Sequence, residues 1–546
     1  MKKLFLIVLA VLLLVTGCTN DKTVDTNEGN LSHLLNEPGT LPIVKEPVTL
    51  TVGLPTPLMV EDMNTNYHTK WMEEKTGVKL EFVLFPANEA ASKLEILVSS
   101  DSELPDMLWG FGLDDLTVYK YGSRGTFIDL TPYYEKQSKY IKEAFEKTTL
   151  YDMKKILTSP DGKMYSVGRV QEETHTEYFW KYYMNKTWLD KLGLEEPQTL
   201  EELYDVLVAF RDSDLNGNGK KDEIPMVGAT GANQNPIIYI MNSFIYADGG
   251  RDYLLVDDKG KIDVAYNKPE WREGLRYINK LVEEGLLSPL SFSQDSNQLK
   301  QMITNPENMM VGSFTCAGYN TLVGNRMNDY VGLGPVTGPE GIGYTPFSPS
   351  FPRNNGHITK DCKNPEIAFQ YMDYMWSYEA STGSRYGELG VDWRLPEEGE
   401  KGYLEYLGYA PKRAMLLDSA AVQNKWWNCQ TPMYLNYEIV NGQVDTGDEN
   451  DAWRVVYEGL GKMVGKIPDN IVAKIIYTEE QIDKIGDIKT VIKTYVEECM
   501  TRFAVGDLDI EKDWDNYIKE LEKMQLDEYI KVTQEAYDAI KIEINK

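Results

Sequence analysis

The chain is poor in the residues that build metal or disulfide frameworks. It has five Cys and four His among 546 residues. Four of the cysteines are widely separated, with no CxxC pair and no His at zinc-ligand spacing: Cys316, Cys362, Cys429 and Cys499. These spacings argue against a zinc knot and a disulfide framework. We therefore expect isolated, buried thiols.

The sequence also lacks the common signatures of catalysis and nucleotide binding. There is no GxSxG elbow, no HExxH and no GxxxxGK[ST] phosphate loop. The histidines are isolated from one another: His33, His68, His175 and His357. We predict that the chain is not an enzyme. Paired acids for glycoside cleavage could still lie among 85 carboxylates, so a secreted polysaccharide hydrolase or lyase stays open as an alternative.

Positive charge is scarce as well. The chain has 56 Lys and Arg against 85 Asp and Glu, which gives a formal net charge of −29. Such a surface repels nucleic acid and anionic lipid headgroups, so we expect neither as a ligand. A chain of this length is too long for one hydrophobic core, so at least two lobes are expected.

The first 18 residues carry the strongest targeting signal. Lys2 and Lys3 precede an apolar run over residues 4–15, which is too short to span a bilayer comfortably. Residues 15–18, VTGC, resemble the bacterial lipobox, in which Cys18 is lipidated before cleavage. The alternative is an ordinary secretory signal followed by a chance cysteine. We expect a signal peptide over 1–17 and acyl chains that anchor the protein at the extracytoplasmic face of the cell membrane.

Hydrophobic periodicity indicates an α/β fold. Alternating residues predict strands near 48–52, 78–84 and 105–109, with helices over 63–75 and 91–97, the second capped by Asn88. This β-α-β-α-β order implies a parallel sheet wrapped by helices. Thr199 and Glu202 form a capping box that begins another helix. The last 70 or so residues have a helical, charge-rich pattern, whereas residues 18–46 are polar and predict a flexible tether.

Residues 214–223, DLNGNGKKDE, form the sharpest internal motif. Oxygen side chains at loop positions 1, 3 and 5, followed by a glycine at position 6, are typical of an EF-hand calcium loop. Position 12 is Pro225 instead of the usual Glu, so the match covers the first half only. The alternative is an Asx-rich turn without metal. With calcium, the loop would have a structural role.

Several phrases together resemble the extracellular solute-binding proteins of family 1, in the large lipoprotein branch that serves carbohydrate ABC importers. They are LPDML at 104–108, FIDLTP at 127–132, DGKMY at 161–165, WLDKLGL at 188–194, EGLL at 284–287, NPEIA at 364–368 and GVDW at 390–393. The metal loop is similar to that of alginate-oligosaccharide-binding relatives. Carried over, the calcium ligands would be Asp214, Asn216, Asn218, the Lys220 carbonyl, Asp222 and Glu223.

The resemblance implies a periplasmic-binding-protein-like type II fold. Its two lobes, each with a central mixed or parallel sheet flanked by helices, would be joined by a hinge and would hold an oligosaccharide in the cleft between them. Lobe I would comprise 47–175 and about 355–390, and lobe II 176–354 and about 391–546. Crossing strands are expected over 174–185 and roughly 345–355. The implied partners are an ABC permease with a separate ATPase, and the protein would be a monomer. A peptide- or lipid-type solute receptor on the same fold remains a further alternative.

A sugar offers an apolar ring face and a rim of hydroxyls, so aromatic plates and polar side chains near strand ends are candidate ligand contacts. For each aromatic candidate, packing in the core is the competing interpretation. The candidates are Trp109, Tyr178, Trp180, Tyr319, Arg353, Glu388, Trp393, Trp426 and Trp427.

Overall fold

The computed structural model describes residues 31–545 except 149, 232, 307–308, 417–421, 428–430 and 449–450. The predicted signal peptide, the lipidation site Cys18 and Cys429 lie outside the described residues. Within them the other cysteines, Cys316, Cys362 and Cys499, are free thiols, and two of the three are buried. No described helix combines the length and apolarity needed to span a membrane.

The strands of the described residues are, in chain order, β1 Val48–Pro55, β2 Val78–Phe85, β3 Met107–Trp109, β4 Val167–Gln171, β5 Lys181–Asn185, β6 Leu254–Val256, β7 Ile262–Val264, β8 Ser313–Cys316, β9 Tyr330–Leu333, β10 Arg353–Ile358, β11 Trp393–Arg394, β12 Ala414–Met415 and β13 Met433–Leu435.

The helices in the first half of the chain are α1 Tyr67–Thr76, α2 Ala90–Ser99, α3 Asp115–Ser123, α4 Thr131–Gln137, α5 Tyr140–Lys147, α6 Met153–Leu157, α7 Thr174–Glu177, α8 Lys186–Leu192, α9 Leu200–Asp212 and α10 Pro236–Met241. Those that follow are α11 Pro269–Glu283, α12 Ser296–Ile303, α13 Tyr319–Val323, α14 Pro365–Met375, α15 Tyr378–Tyr386, α16 Tyr437–Asn441, α17 Ala452–Gly461, α18 Glu479–Ala504, α19 Trp514–Lys523 and α20 Leu526–Ala539.

The first lobe is built on a six-stranded sheet in the order β13-β4-β10-β3-β1-β2. Strand β1 pairs in parallel with β2 and β3, as the sequence predicts. Strand β10 is antiparallel to both β3 and β4. Between α1 and β2, Gly77 adopts a left-handed conformation (φ 73°) that ends the helix and starts the strand at the next residue.

The second lobe is built on a three-stranded antiparallel sheet in the order β8-β5-β9. Its core includes residues of α9, α10 and α11 and extends into the C-terminal helices α18, α19 and α20. Helix α17 packs against β9 at a glycine pair, where a Cβ on Gly332 would lie 2.8 Å from the Cα of Gly459. The two sheets and their separate cores give the two-lobed α/β architecture that the resemblance implies.

The chain crosses between the lobes several times. Residues 172–180 lead from β4 in the first sheet to β5 in the second, and residues 334–352 lead back from β9 to β10. A third segment, near residues 472–476, also passes from one lobe to the other. Val472 packs in the core of the second lobe, whereas Ala473 and Ile476 pack in the core of the first. The base between the lobes is therefore formed by three neighbouring segments.

Two local predictions differ from the structure. Asn88 does not cap α2; it lies within a single 3-10 turn, and the residue before the helix is Glu89. The expected crossing strand over 174–185 begins instead with helix α7, and only Lys181–Asn185 is a strand. The capping box at Thr199 is confirmed, and the helical C-terminal segment is confirmed.

The prediction of a flexible tether over 18–46 is wrong for residues 31–46. From Leu31 onward the chain packs on the first lobe: the Leu31 backbone N–H donates to Asn364 Oδ1 at 2.7 Å. Ile43 and Val44 are buried in the core of that lobe, and the Ile43 N–H donates to the Thr76 carbonyl. Apolar burial and backbone pairing thus fix a segment whose composition is polar overall.

Part of segment 391–546, which the sequence assigns to the second lobe, lies in the first lobe. Strand β13 lies at the edge of the first lobe's sheet, where it runs parallel to β4. Trp393 clusters with Tyr386 and Met433 on the same side of the molecule. Residues near 433 therefore belong with the first lobe through the pairing of β13 with β4, and Trp393 through its cluster with Met433.

Candidate functional site

A cavity of about 650 Å³ lies between the two lobes, at the base formed by the crossing segments. The first lobe contributes Arg169 and Gln171 of β4 and Arg353 of β10. The crossing segments and the second lobe complete the lining with Glu173, Thr176, Glu177, Phe179, Trp180, Asn233, Asp248, Gly250, Arg251, Asp252, Leu254, residues 346–352, residues 472–475, Tyr477 and Lys489. Its volume suits an oligosaccharide-sized solute.

Two of the nine predicted ligand contacts line this cavity. Trp180 is half-buried and packs against the core of the second lobe, and it precedes β5 directly. Arg353 begins β10 and is exposed. Trp180 comes from the first crossing segment and Arg353 from the first lobe, so the cavity is lined by an aromatic ring and a guanidinium group from different parts of the chain.

The other tryptophan candidates are core residues in this structure. Trp109 and Trp427 have no exposed surface and pack together in the first lobe, where Trp109 stacks on Tyr371 with ring centroids 6.1 Å apart. The Trp427 Nε1–H donates to Thr69 Oγ1 at 2.8 Å. Trp426 and Trp393 are 1% and 2% exposed, respectively. All four tryptophans are therefore core residues, as the competing interpretation predicts.

The last three candidates also lie away from the lining residues. Tyr319 is fully buried and stacks on Tyr183 at 4.5 Å. Tyr178 packs in a hydrophobic cluster near the crossing segments, and its hydroxyl accepts from the Gly465 N–H. Glu388 is half-buried near Tyr67, and its carboxylate helps to raise the pKa of that phenol, after the effect of burial. None of the three lines the cavity.

Sequence reasoning missed several cavity residues, above all Arg169, Gln171, Arg251 and Lys474. Arg169 and Gln171 have a local signal, since they alternate with buried Val170 at the end of a strand. Arg251 and Lys474 have none. Their position in the cavity depends on packing between distant segments, which no local pattern reveals.

Most charges in the cavity are already paired. Arg251 forms an ion pair with Asp248 at 2.7 Å, and Lys489 with Asp252 at 2.8 Å. Lys474 pairs with Asp115 of α3 at 2.8 Å, which links the third crossing segment to the first lobe. Arg169 instead donates from Nη2 to the neutral Gln171 Oε1, and its buried Nε has no hydrogen-bond partner within the residues that the structure describes.

The first crossing segment holds several buried titratable groups. Burial raises the pKa of Glu172 and Glu177 to about 7 each. Glu177 is hydrogen-bonded by the Tyr437 hydroxyl and by the Ser350 N–H at 3.0 Å. Lys181 donates to the His175 and Tyr178 carbonyls, and burial lowers its pKa to about 7. The Glu177 bonds tie this segment to Ser350 and Tyr437, whereas the Lys181 bonds hold the turn of the segment itself.

The predicted metal loop folds as a series of Asx turns after α9. The Asp214 carboxylate accepts from the backbone N–H groups of Gly217, Asn218 and Gly219, at 2.9 to 3.1 Å. Gly219, at loop position 6, adopts a left-handed conformation with φ 81°. The backbone therefore turns where a calcium loop requires it.

The oxygen groups of this loop fit a calcium ion chemically. Glu223 is buried, and its Oε1 accepts from the Leu215 and Asn216 N–H groups, while its Oε2 has no hydrogen-bond partner in the described part of the chain. The Asp222 carboxylate accepts hydrogen bonds from the side-chain amides of Asn216 and Asn218. Among the described residues no group of three or more His, Cys, Asp or Glu side chains is arranged to hold a metal. The carboxylates would have to converge further around an ion.

Comparisons with known proteins agree with this architecture. The family model for bacterial extracellular solute-binding proteins matches residues 56–381. The fructooligosaccharide ABC transporter substrate-binding protein FusA of Streptococcus pneumoniae serotype 4 is 26% identical over 542 residues, which cover 97% of this chain and 96% of that protein. These relatives are binding proteins and not enzymes.

Solved structures share the fold. FusA in complex with kestose superimposes with a TM-score of 0.70 at 24% identity, covering 90% of this chain and 99% of that one. An extracellular solute-binding protein from Bifidobacterium longum subsp. infantis gives 0.74 at 20% identity, with 91% and 98% covered. A further FusA structure, with fructo-nystose, is of an EF-hand mutant; its TM-score is 0.70 at 24% identity, with 90% and 99% covered.

Proposed function

The chain belongs to the bacterial extracellular solute-binding proteins, and from this premise we propose that it captures an oligosaccharide for an ABC importer. The observation that carries the proposal is the 650 Å³ cavity enclosed by residues of both lobes at the base between them. A ligand held there contacts both lobes at once, so binding favours the closed form over the open one. The closed, loaded form would be presented to a permease.

The chemistry of the lining supports a sugar as the ligand. The half-buried ring of Trp180 offers a flat apolar surface for the C–H face of a sugar ring. Gln171, Asn233 and the arginines offer amide and guanidinium groups that bond neighbouring hydroxyls. FusA, whose name includes fructooligosaccharide, matches nearly the whole chain, which supports a carbohydrate over a peptide or a lipid.

The proposal includes a lipid anchor on Cys18. It rests on the lipobox-like VTGC sequence and the short apolar run that precedes it. The acyl chains would keep the receptor at the extracytoplasmic face of the membrane, near a permease with a separate ATPase, because the sequence has no phosphate loop of its own. In cells fed a labelled fatty acid, we expect the wild-type protein to carry the label and Cys18→Ser, which keeps its uncleaved signal peptide, to carry none. Absence of label from the wild-type protein, or equal labelling of the variant, would contradict the anchor.

We also propose a structural calcium ion in the 214–223 loop. Asp214, Asn216, Asn218, the Lys220 carbonyl, Asp222 and Glu223 would hold it, and the ion would supply positive charge among three carboxylates. The EF-hand mutant of FusA is consistent with this assignment. The buried Glu223 Oε2, which has no hydrogen-bond partner among the described residues, is the oxygen best placed to gain one.

A thermal-shift screen of the purified mature protein tests the main proposal. Neutral and acidic oligosaccharides, peptides and lipids would be added in turn, and a ligand at about 100 times its Kd adds ~2.7 kcal/mol to the free energy of unfolding. We expect stabilisation by an oligosaccharide and no release of reducing ends over time. Stabilisation by peptides alone, or cleavage of the sugar, would contradict the proposal.

A further inference from the structure

The chain that follows α20 connects the second lobe to the first lobe once more. Helix α20 packs in the core of the second lobe through Tyr529, Val532 and Tyr537, among others. Ile542, which comes soon after the helix, lies in the core of the first lobe and is only 4% exposed. We call residues 540–545 the strap. It links the two lobes in addition to the three crossing segments.

The isoleucines of the strap alternate with exposed residues and pack on the first lobe. Ile542 lies in the core of that lobe, and the partly buried Ile540 and Ile544 pack against the same core. Ile544 also contacts the hydrophobic cluster that contains Tyr178 and Phe347, which belong to the first and second crossing segments. The strap therefore runs beside the base between the lobes.

Hydrogen bonds hold the strap on the first lobe near both of its ends. The Lys155 ammonium group donates to the Lys541 carbonyl at 2.5 Å, and the Asn545 backbone N–H donates to the Leu150 carbonyl at 2.7 Å. Leu150 precedes α6, and Lys155 lies within that helix. The strap is thus fixed to one short region of the first lobe, while α20 fixes its other end to the second lobe.

The strap is too short to allow a wide separation of these two anchors. Helix α20 ends at Ala539, three residues before Ile542, and three extended residues span about 11 Å. Ile542 therefore stays buried only while the first lobe remains close to the end of α20. A wider opening of the lobes would pull this side chain out of the core and expose it to water, which costs free energy.

We propose that the strap limits how far the two lobes open in the ligand-free protein. The crossing segments let the lobes turn about the base, and the burial of Ile542 opposes that movement beyond the reach of the strap. A solute that contacts both lobes binds the closed form, so a strap that keeps the lobes close raises the closed population and the apparent affinity. The restraint acts on the movement of the lobes and is the same for any solute in the cavity.

Small-angle X-ray scattering of the ligand-free mature protein tests the proposal. Two variants release the strap: Ile542→Ala, which removes its buried anchor, and a chain that ends at Ala539. The matched control is Ile141→Ala on α5, which truncates another isoleucine of the same core, 1% exposed. We expect the radius of gyration to shift to larger values in both strap variants and to stay at the wild-type value in the control.

The control separates release of the strap from a general loss of packing, because both isoleucine variants leave a cavity in the same core. An increase confined to the strap variants therefore supports the proposal. An unchanged radius of gyration in both strap variants overturns it, and so does an equal increase in Ile141→Ala. If the shortened chain fails to fold, Ile542→Ala decides the question by the same comparison with Ile141→Ala.

Discussion

The core of the first lobe and the cavity between the lobes both contain tryptophan, but the ring is packed away from solvent in the core and partly exposed in the cavity. In the core, Trp109, Trp427 and Tyr371 are almost fully buried and contact one another or other rings. In the cavity, Trp180 is half-buried beside charged and amide groups. An aromatic ring is thus a candidate for ligand binding when it retains exposed surface next to polar groups that a solute could bond.

The largest effect should come from the core. Trp427→Ala removes a fully buried ring and the hydrogen bond to Thr69, so we expect a loss of about 3–5 kcal/mol in the free energy of unfolding. Urea denaturation measures it. Under conditions where the variant is folded, its oligosaccharide affinity should stay within about twofold of wild type. A specific loss of affinity would instead place Trp427 in the ligand site and contradict its assignment to the core.

Calcium removal should have the next largest effect, and it should be on stability. If the 214–223 loop holds an ion at about 100 times its Kd, chelation lowers the free energy of unfolding by ~2.7 kcal/mol. Glu223→Gln should show a smaller response to chelator than wild type, and Glu143→Gln on the surface of α5 should respond as wild type does. An unchanged Tm in chelator would contradict the calcium assignment.

Trp180→Ala should lower the ligand affinity more than the stability, which is the opposite of what we expect for Trp427→Ala. Because Trp180 lines the cavity and is only half-buried, we expect a tenfold to hundredfold loss of oligosaccharide affinity, or about 1.4–2.7 kcal/mol. Calorimetry measures the affinity, and Trp180→Phe, which keeps a ring, should retain more of it. The ligand-free Tm should change less than in Trp427→Ala. Full affinity in Trp180→Ala would remove this ring from the site.

The smallest expected effect concerns pH and the first crossing segment. The folded-state pKa of Glu177 is about 7, above its value in the unfolded chain, so the native state binds the proton more tightly. Its contribution to stability is therefore present at pH 4.5 and is lost as the pH rises towards 7 and above. Relative to wild type, Glu177→Gln should gain on the order of 1–2 kcal/mol between pH 5 and pH 8.

Urea denaturation at the two pH values checks this expectation. Tyr437 and Ser350 can bond the Gln oxygen as they bond Glu177, so the substitution keeps the local contacts. Glu143→Gln serves as the surface control and should show no such gain. A pH-independent difference between Glu177→Gln and wild type would contradict the raised pKa.

Features encoded by short stretches of sequence were predictable. Alternation of apolar residues predicts β1 and β2, the Thr199 capping box predicts α9, and the 214–219 pattern predicts the turns of the metal loop. Each depends on contacts within a few residues. The same holds for the C-terminal helices, whose apolar residues recur with helical spacing.

Features that depend on distant segments were not predictable in this way. Strand β13 joins the first sheet through pairing with β4, and residues 31–46 pack on that lobe through contacts with Thr76 and Asn364. The cavity likewise draws Arg169, Arg251 and Lys474 from three separate segments. Whether a tryptophan faces solvent or core depends on such packing, which is why Trp109 and Trp180 carry the same local signal but lie in different environments.

The decisive experiment is a crystal structure of the protein with a bound oligosaccharide. We expect an intact sugar between the lobes, in contact with Trp180 and with residues of both lobes, including Arg353. A sugar bound on the outer surface of one lobe, or density for a cleaved product, would contradict it.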